Sequence, residues 1–283
     1  MKWLRWLKGK AEHKNFVIYI LVLFTLLTAA TLGNGLQIDD HVHRGIFMKT
    51  SLIHDADSNP LMTMFQFFEK TPEKKKKLME MGFLPWWTSP NFHITFWRPL
   101  SAATHWLDYT LWPNQFWLMH LHNILWVLLI GLLSFFLYRS LHGPGWLAGM
   151  AFFFYFTNDI FAVPASWIAN RNASIALLFA LLCLYHHHKW RLENKTSSAF
   201  AAPLFLAIGL LGGESAVAIC GYLFAYALFM ERKALSLVKR MMTLVPYGLL
   251  VIGWRALYSG LGYGTSGSGV YVDPIGSPKI LLS

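Results

Sequence analysis

The sequence predicts an all-α integral membrane protein of about seven transmembrane helices, with a long first extracytoplasmic loop that contains interfacial helices. Three observations predict it. The 283 residues are 55% hydrophobic and only 13% charged, with a mean hydropathy of +0.41, whereas soluble domains carry about 25% charged residues. Apolar residues gather in serial runs, several of them near the ~20 residues that cross a bilayer. Lys and Arg sit in short clusters between those runs, as membrane flanks do. This clustering argues against nucleic acid as the partner of a chain with net charge +10. The two cysteines, Cys183 and Cys220, lie inside apolar runs and form neither a disulfide framework nor a metal motif.

Taken in order, residues 1–15 form a basic cytoplasmic N-terminus (Lys2, Arg5, Lys8, Lys10, Lys14). The apolar run Phe16–Leu32 follows and is read as a signal anchor. Thr28-Ala29-Ala30 offers a passable cleavage site, but the run is long for a signal-peptide core. Residues 33–115 form the first outer loop, and its aromatic end (Trp86, Trp87, Phe96, Trp97, Trp106, Trp112) predicts helices lying in the interface. The remaining spans are expected at Phe116–Tyr138, Trp146–Val163, Ala173–Tyr185, Ala199–Leu211, Ser215–Met230 and Met241–Tyr258. Splitting the fifth and sixth around Gly212-Gly213-Glu214 keeps Arg232, Lys233, Lys239 and Arg240 inside, as the positive-inside rule requires. The transmembrane domain is thus 16–258, and 259–283 is an outer tail or the start of a continuation. His186–His188 is expected to be a solvated inner flank, and Lys74–Lys77 a helix face turned to headgroups or water. The sequons at Asn172 and Asn194 are read as unmodified, one abutting a span and the other facing inward.

Ionisable residues near spans are costly and each needs an account. Under this topology they collect on the outer side: Asp39 and Asp40 after the first span, Arg98 and Asp108 before the second, and His120, His122 and Asn123 within its outer turns. Asp159, Asn170, Arg171 and Glu214 complete the set. Each has a plain structural reading too: a solvated loop for the Asp pair, snorkelling anchors for the arginines, helix neighbours for the histidines. Their combination suits a substrate with a phosphate leaving group. Asp39 or Asp40 would take a proton from an attacking hydroxyl, while Arg98 and Arg171 would hold the phosphate and its developing charge. A lipid-linked phosphosugar needs both a membrane groove and such a polar head site.

Four segments carry a family likeness: Ile38-Asp39-Asp40; Arg98-Pro99-Leu100 through Asp108-Tyr109 to His120-Leu121-His122-Asn123; Phe161–Pro164 through Trp167–Arg171; and Ile208–Glu214. In order and spacing they resemble the GT-C superfamily of membrane glycosyltransferases, nearest to TMTC-type and protein O-mannosyltransferase-like members, over about 38–220. The resemblance implies a transferase that moves a sugar, mannose among the candidates, from a polyprenyl-phosphate donor to a protein or glycan acceptor outside the cytoplasm. It makes Asp39 the base, with Asp40 as its neighbour. His120, His122, Asn123, Asn170, Glu214 and Asp108 become substrate-binding or supporting residues. It places the chain in the plasma (bacterial inner) membrane, or the endoplasmic reticulum membrane of a eukaryote. Metal use differs among GT-C enzymes; His41 and His43 are the candidate ligands for a divalent metal. Two departures stand out. Gly213 occupies the position where the family has Lys, and the chain stops at Ser283 where relatives continue, as a fragment or a short relative would. The rival readings are a transporter or flippase for a lipid-linked or anionic solute, and a non-catalytic membrane subunit.

Overall fold

The structure is a computed structural model and describes residues 2–51, 53–55, 57–231, 235–268 and 271. It is mostly helical. Helix α1 (Lys2–Glu12) runs into α2 (Phe16–Thr28), whose C-terminal end tightens into a 3₁₀ turn, Ala29–Gly33. The segment before the next long helix holds α3 (Asp39–Phe47), α4 (Pro60–Thr63), strand β1 (Gln66–Phe68), α5 (Pro72–Glu80), β2 (His93–Thr95) and α6 (Pro99–Leu111). Then come α7 (Phe116–His142), α8 (Trp146–Phe156), α9 (Ala162–Ser166), α10 (Arg171–Glu193) and α11 (Thr196–Gly212). A 3₁₀ turn (Glu214–Ala218), α12 (Ile219–Ala225), a π-helical turn (Tyr226–Met230), α13 (Leu237–Met242), α14 (Val245–Gly260) and β3 (Gly264–Ser266) complete the described chain.

Among the described residues, three helical stretches are long and apolar enough to cross a membrane: Phe16–Gly33, Phe116–His142 and Ile168–Glu193. Trp146–Phe156 and Asp159–Ser166 make a fourth only if counted as one span bent by 53°. Thr196–Gly212 and Glu214–Met230 are apolar but shorter. Lipid contact explains the outward faces. Tyr19, Leu26, Leu27, Leu125, Phe136, Phe154, Leu204, Leu249 and Ile252 are exposed, and water would penalise each of them.

Helix α10 is the pillar, packed between α7 and α11. Close approach of α11 depends on Gly212, where an added Cβ would stand 2.7 Å from Ile175 Cγ2 and 3.3 Å from the Ala176 nitrogen. The second apolar core joins α2, α7 and α8 through Val17, Ile20, Val127, Phe152 and Phe156. Helix α1 packs on α8, with Lys8 Nζ 4.4 Å over the Trp146 ring. The basic N-terminus is therefore a docked helix, with Lys8 seated on an aromatic ring.

Three further differences from sequence expectation have physical causes. Strands from the 33–115 segment and from the chain after α14 form a three-stranded antiparallel sheet, β1-β2-β3, in which His93, Ile94 and Thr95 face Ser266, Thr265 and Gly264. Strands of three residues leave no alternation to read, and the partner lies far along the chain. The helix expected to end near Tyr185 continues to Glu193, so His186–His188 is no solvated flank. His187 and His188 are buried, and their Nδ1 atoms each meet a tyrosine hydroxyl at 2.9 Å, those of Tyr247 and Tyr226 respectively. Tyrosines from later helices supply the polar partners that the local sequence lacked. Lys75, within the stretch expected to face headgroups, is buried and bonds the Pro90 carbonyl.

Candidate functional site

The site begins where α2 gives way to α3. Ile38 stands at φ 37°, ψ −104° just before the acidic pair. A β-branched residue at positive φ is strained by about 1–3 kcal/mol. This turn separates the two carboxylates. Asp40 is fully buried; its Oδ1 accepts the Ala169 N–H at 2.6 Å and its Oδ2 the Gln37 N–H at 2.9 Å. Asp39 is half-buried, and among the described residues its carboxylate accepts no hydrogen bond. Burial raises its pKa. Burial, with a smaller contribution from Asp39, pushes Asp40 up to about 6.

The Asp40 shift has a testable sign. A carboxyl whose pKa is raised from 3.8 to about 6 by folding stabilises the fold fully below about pH 4, and that contribution is lost as pH rises through 6. Asp40→Asn cannot titrate. The wild type is therefore expected to lose stability relative to Asp40→Asn between pH 4 and 7, read by denaturant unfolding in micelles. A pH-independent difference would refute the assignment.

The second group is a buried hub around Arg171, which opens α10. It is fully buried. Its Nε donates to Asn123 Oδ1 at 2.6 Å, one terminal nitrogen donates to the Thr104 carbonyl at 3.2 Å, and the other to the Met119 carbonyl at 3.2 Å. The last nitrogen also lies 2.5 Å from Asp108 Oδ2, an ion pair between two fully buried side chains. The other oxygen of Asp108 meets His122 Nδ1 at 2.7 Å. Asn123 Nδ2 donates to the Pro164 and Trp167 carbonyls, at 3.0 and 2.8 Å. His120 Nε2 lies 3.3 Å from the Gly35 carbonyl. These residues pin α6, α7, α10 and the 164–170 turn together. In this arrangement Arg171 has no open face for a phosphate: its donors are committed to protein. The sequence groups it with Arg98 by depth, but burial separates the two.

The third group is a groove of about 890 Å³ lined by Phe96, Arg98, Glu214, Trp254, Arg255 and Tyr258, among others. Arg98 Nε donates to Glu214 Oε2 at 2.8 Å, and its guanidinium lies 4.1 Å over the Phe96 ring. Tyr258 donates to Glu214 Oε1 at 3.2 Å. Glu214 thus has a cationic companion despite Gly213, supplied from far along the chain. Ser101 Oγ donates to the Gly212 carbonyl at 2.6 Å and fixes α6 against this turn. Among the described residues, Arg98 and Arg255 are the cationic residues that line the groove and Glu214 the acidic one. Arg255 was legible as a charge inside an apolar run, but the basic-flank reading passed over it. Tyr258 gave no signal.

The remaining candidates fall elsewhere. Asn170 is half-buried at the start of the α10 turn, and Asp159 is exposed at the α8–α9 bend. His41 is exposed whereas His43 is fully buried, its ring 5.4 Å from that of buried His105. Burial lowers the His43 pKa to about 3 and holds His105 well below the usual 6.5, so both are neutral. The described residues include no group of three or more His, Cys, Asp or Glu placed to hold a metal ion. Helix geometry explains why His41 and His43 separate: two residues apart, they point to different sides.

Comparison with protein-family models, with curated proteins and with solved structures returns no match.

Proposed function

We propose that this protein is a membrane-embedded glycosyltransferase that passes a sugar from a polyprenyl-phosphate donor to an acceptor hydroxyl on the extracytoplasmic side. The observation that carries the reading is the 890 Å³ groove, with Arg98, Arg255 and Glu214 at its polar end and Val251, Ile252 and Trp254 along its apolar wall. A lipid phosphate needs that combination of cationic head site and apolar flank. Asp39, half-buried and unbonded, is the base; Asp40, tied to two backbone N–H groups, positions the helix that carries it. A raised pKa suits a carboxylate that must take a proton near neutral pH. The motif resemblance to GT-C enzymes supports the same reaction.

Seven crossings with a cytoplasmic N-terminus fit this function. Thr95 Oγ1 donates to the Gly264 carbonyl at 3.1 Å, which supports a first loop and a chain after α14 on one side of the membrane. That requires an even number of crossings between them, and six, with α11, the 214–230 segment and α14 included, satisfy it.

Arg98→Gln tests the donor site. Losing a charge-assisted contact to phosphate costs about 1.5–3 kcal/mol, hence roughly 10- to 100-fold weaker binding of polyprenyl phosphate. Titration of the purified protein with that lipid reads it, and unchanged affinity would move the donor away from this groove.

A further inference from the structure

A second cavity, of about 580 Å³, shares no lining residue with the groove. His41, Arg44, Gly45, Thr50, Ser51 and Phe83 line it. Its charge is one-sided: Arg44 and His41 are its ionisable residues, and no carboxylate lines it. Arg44 is held in place. One terminal nitrogen donates to Asn114 Oδ1 at 2.8 Å, and the guanidinium lies 5.5 Å over the Phe116 ring. Both partners are neutral, so no carboxylate among the described residues cancels its charge. A fixed guanidinium presents its other terminal N–H groups in a set direction, which suits an anionic oxygen.

The opposite wall is also ordered. After α3 the chain folds back, with the Thr50 N–H bonded to the Gly45 carbonyl at 2.8 Å. Gly45 packs against the returning chain, where a Cβ would lie 3.4 Å from the Ser51 Cα. Ser51 Oγ accepts the His54 N–H at 3.1 Å and meets His54 Nδ1 at 3.2 Å. Phe83, 56% exposed, adds an aromatic face of the kind sugar rings stack on. Asp39 opens this same helix, two residues before His41.

We propose that this cavity is the acceptor site and takes an anionic polyol, a hydroxyl-bearing molecule that carries a phosphate or carboxylate group. The proposal rests on the reading of Asp39 as base. In the step, the acceptor hydroxyl gives its proton to Asp39, and its oxygen bonds to the anomeric carbon. The bond from that carbon to the phosphate oxygen breaks, and the lipid phosphate leaves with the electron pair.

The test titrates the full chain in detergent micelles with glucose 6-phosphate, followed by isothermal titration calorimetry, with glucose as the uncharged control. Saturable binding of the phosphate sugar alone is expected. Arg44→Gln should weaken it at least tenfold, and His41→Gln, at an exposed position, should weaken it less without risk to the fold. Asn114→Ala leaves the charge but frees the side chain, and a smaller loss is expected. Arg98→Gln should leave this binding intact while it weakens polyprenyl phosphate, so failure of the acceptor site and failure of the donor site are read separately. Equal binding of glucose, absence of saturable binding, or binding unchanged in both Arg44→Gln and His41→Gln overturns the proposal. Loss in Arg98→Gln but not in Arg44→Gln overturns it too, by placing the anion in the groove.

Discussion

Asp39→Asn is expected to abolish sugar transfer while the protein still inserts and folds. The substitution keeps the side chain's shape and removes the group that takes the proton. General-base catalysis of this kind contributes about 10²–10⁴ in rate. Folding should survive, because the Asp39 carboxylate accepts no hydrogen bond among the described residues and its burial as an ion is a cost. Asp40→Asn is the discriminating partner. Its amide can still accept the Ala169 N–H through one oxygen but loses an acceptor for Gln37, so it should lower activity by loosening α3 and shift stability as well. The measurement is transfer of labelled sugar from a polyprenyl-phosphate donor, beside an unfolding curve for each variant. Asp39→Asn at near wild-type rate, or Asp40→Asn as the more damaging to rate at equal stability, would remove Asp39 from the base role.

Arg171→Met is expected to be the most destabilising single substitution. It takes away the guanidinium that pairs with Asp108, both side chains being fully buried. It also leaves Asn123 Oδ1 and the Thr104 and Met119 carbonyls without the donor they now have. Breaking a buried pair by removing one partner costs about 3–5 kcal/mol. Arg171→Lys should rescue little, since an ammonium on a flexible stem cannot reproduce the planar fork that reaches four partners at once. Asp108→Asn also leaves one charge of the pair uncompensated but should cost less, because the amide keeps an oxygen for Arg171 and the other acceptors of the guanidinium stay in place. Denaturant unfolding in micelles measures all three. A loss below about 1 kcal/mol in Arg171→Met would show that the hub is not what joins α6, α7 and α10. Loss of lipid-phosphate binding in a folded Arg171→Lys, equal to that of Arg98→Gln, would return Arg171 to the donor site.

The two arginines show where reading the sequence succeeds and where it stops. Both were legible as costly charges at the same depth, and both occupy special sites. Their difference was not legible. Arg98 borders a groove and keeps an aromatic face, while Arg171 is enclosed on every side. Depth follows from hydropathy along one helix; enclosure follows from which other helices pack there. The Asp pair is similar. Sequence places both residues at the outer end of the first span, and only the positive φ at Ile38 and the N–H of Ala169, far along the chain, turn one inward and leave the other free.

What the sequence by itself determined is the lipid-facing, helical character of the chain and the stretches that include its three long apolar helices, because transfer of side chains from water to hydrocarbon is local and additive. Lengths near the bilayer limit, the three-residue strands and the reach of α10 to Glu193 depended on partners remote in sequence. The tertiary structure alone decided that Glu214 meets Arg98, that His187 and His188 meet Tyr247 and Tyr226, and that Asp108 is shared between Arg171 and His122. Buried polar groups must be satisfied by whatever packing brings to them, and no local pattern of residues says which partner that will be.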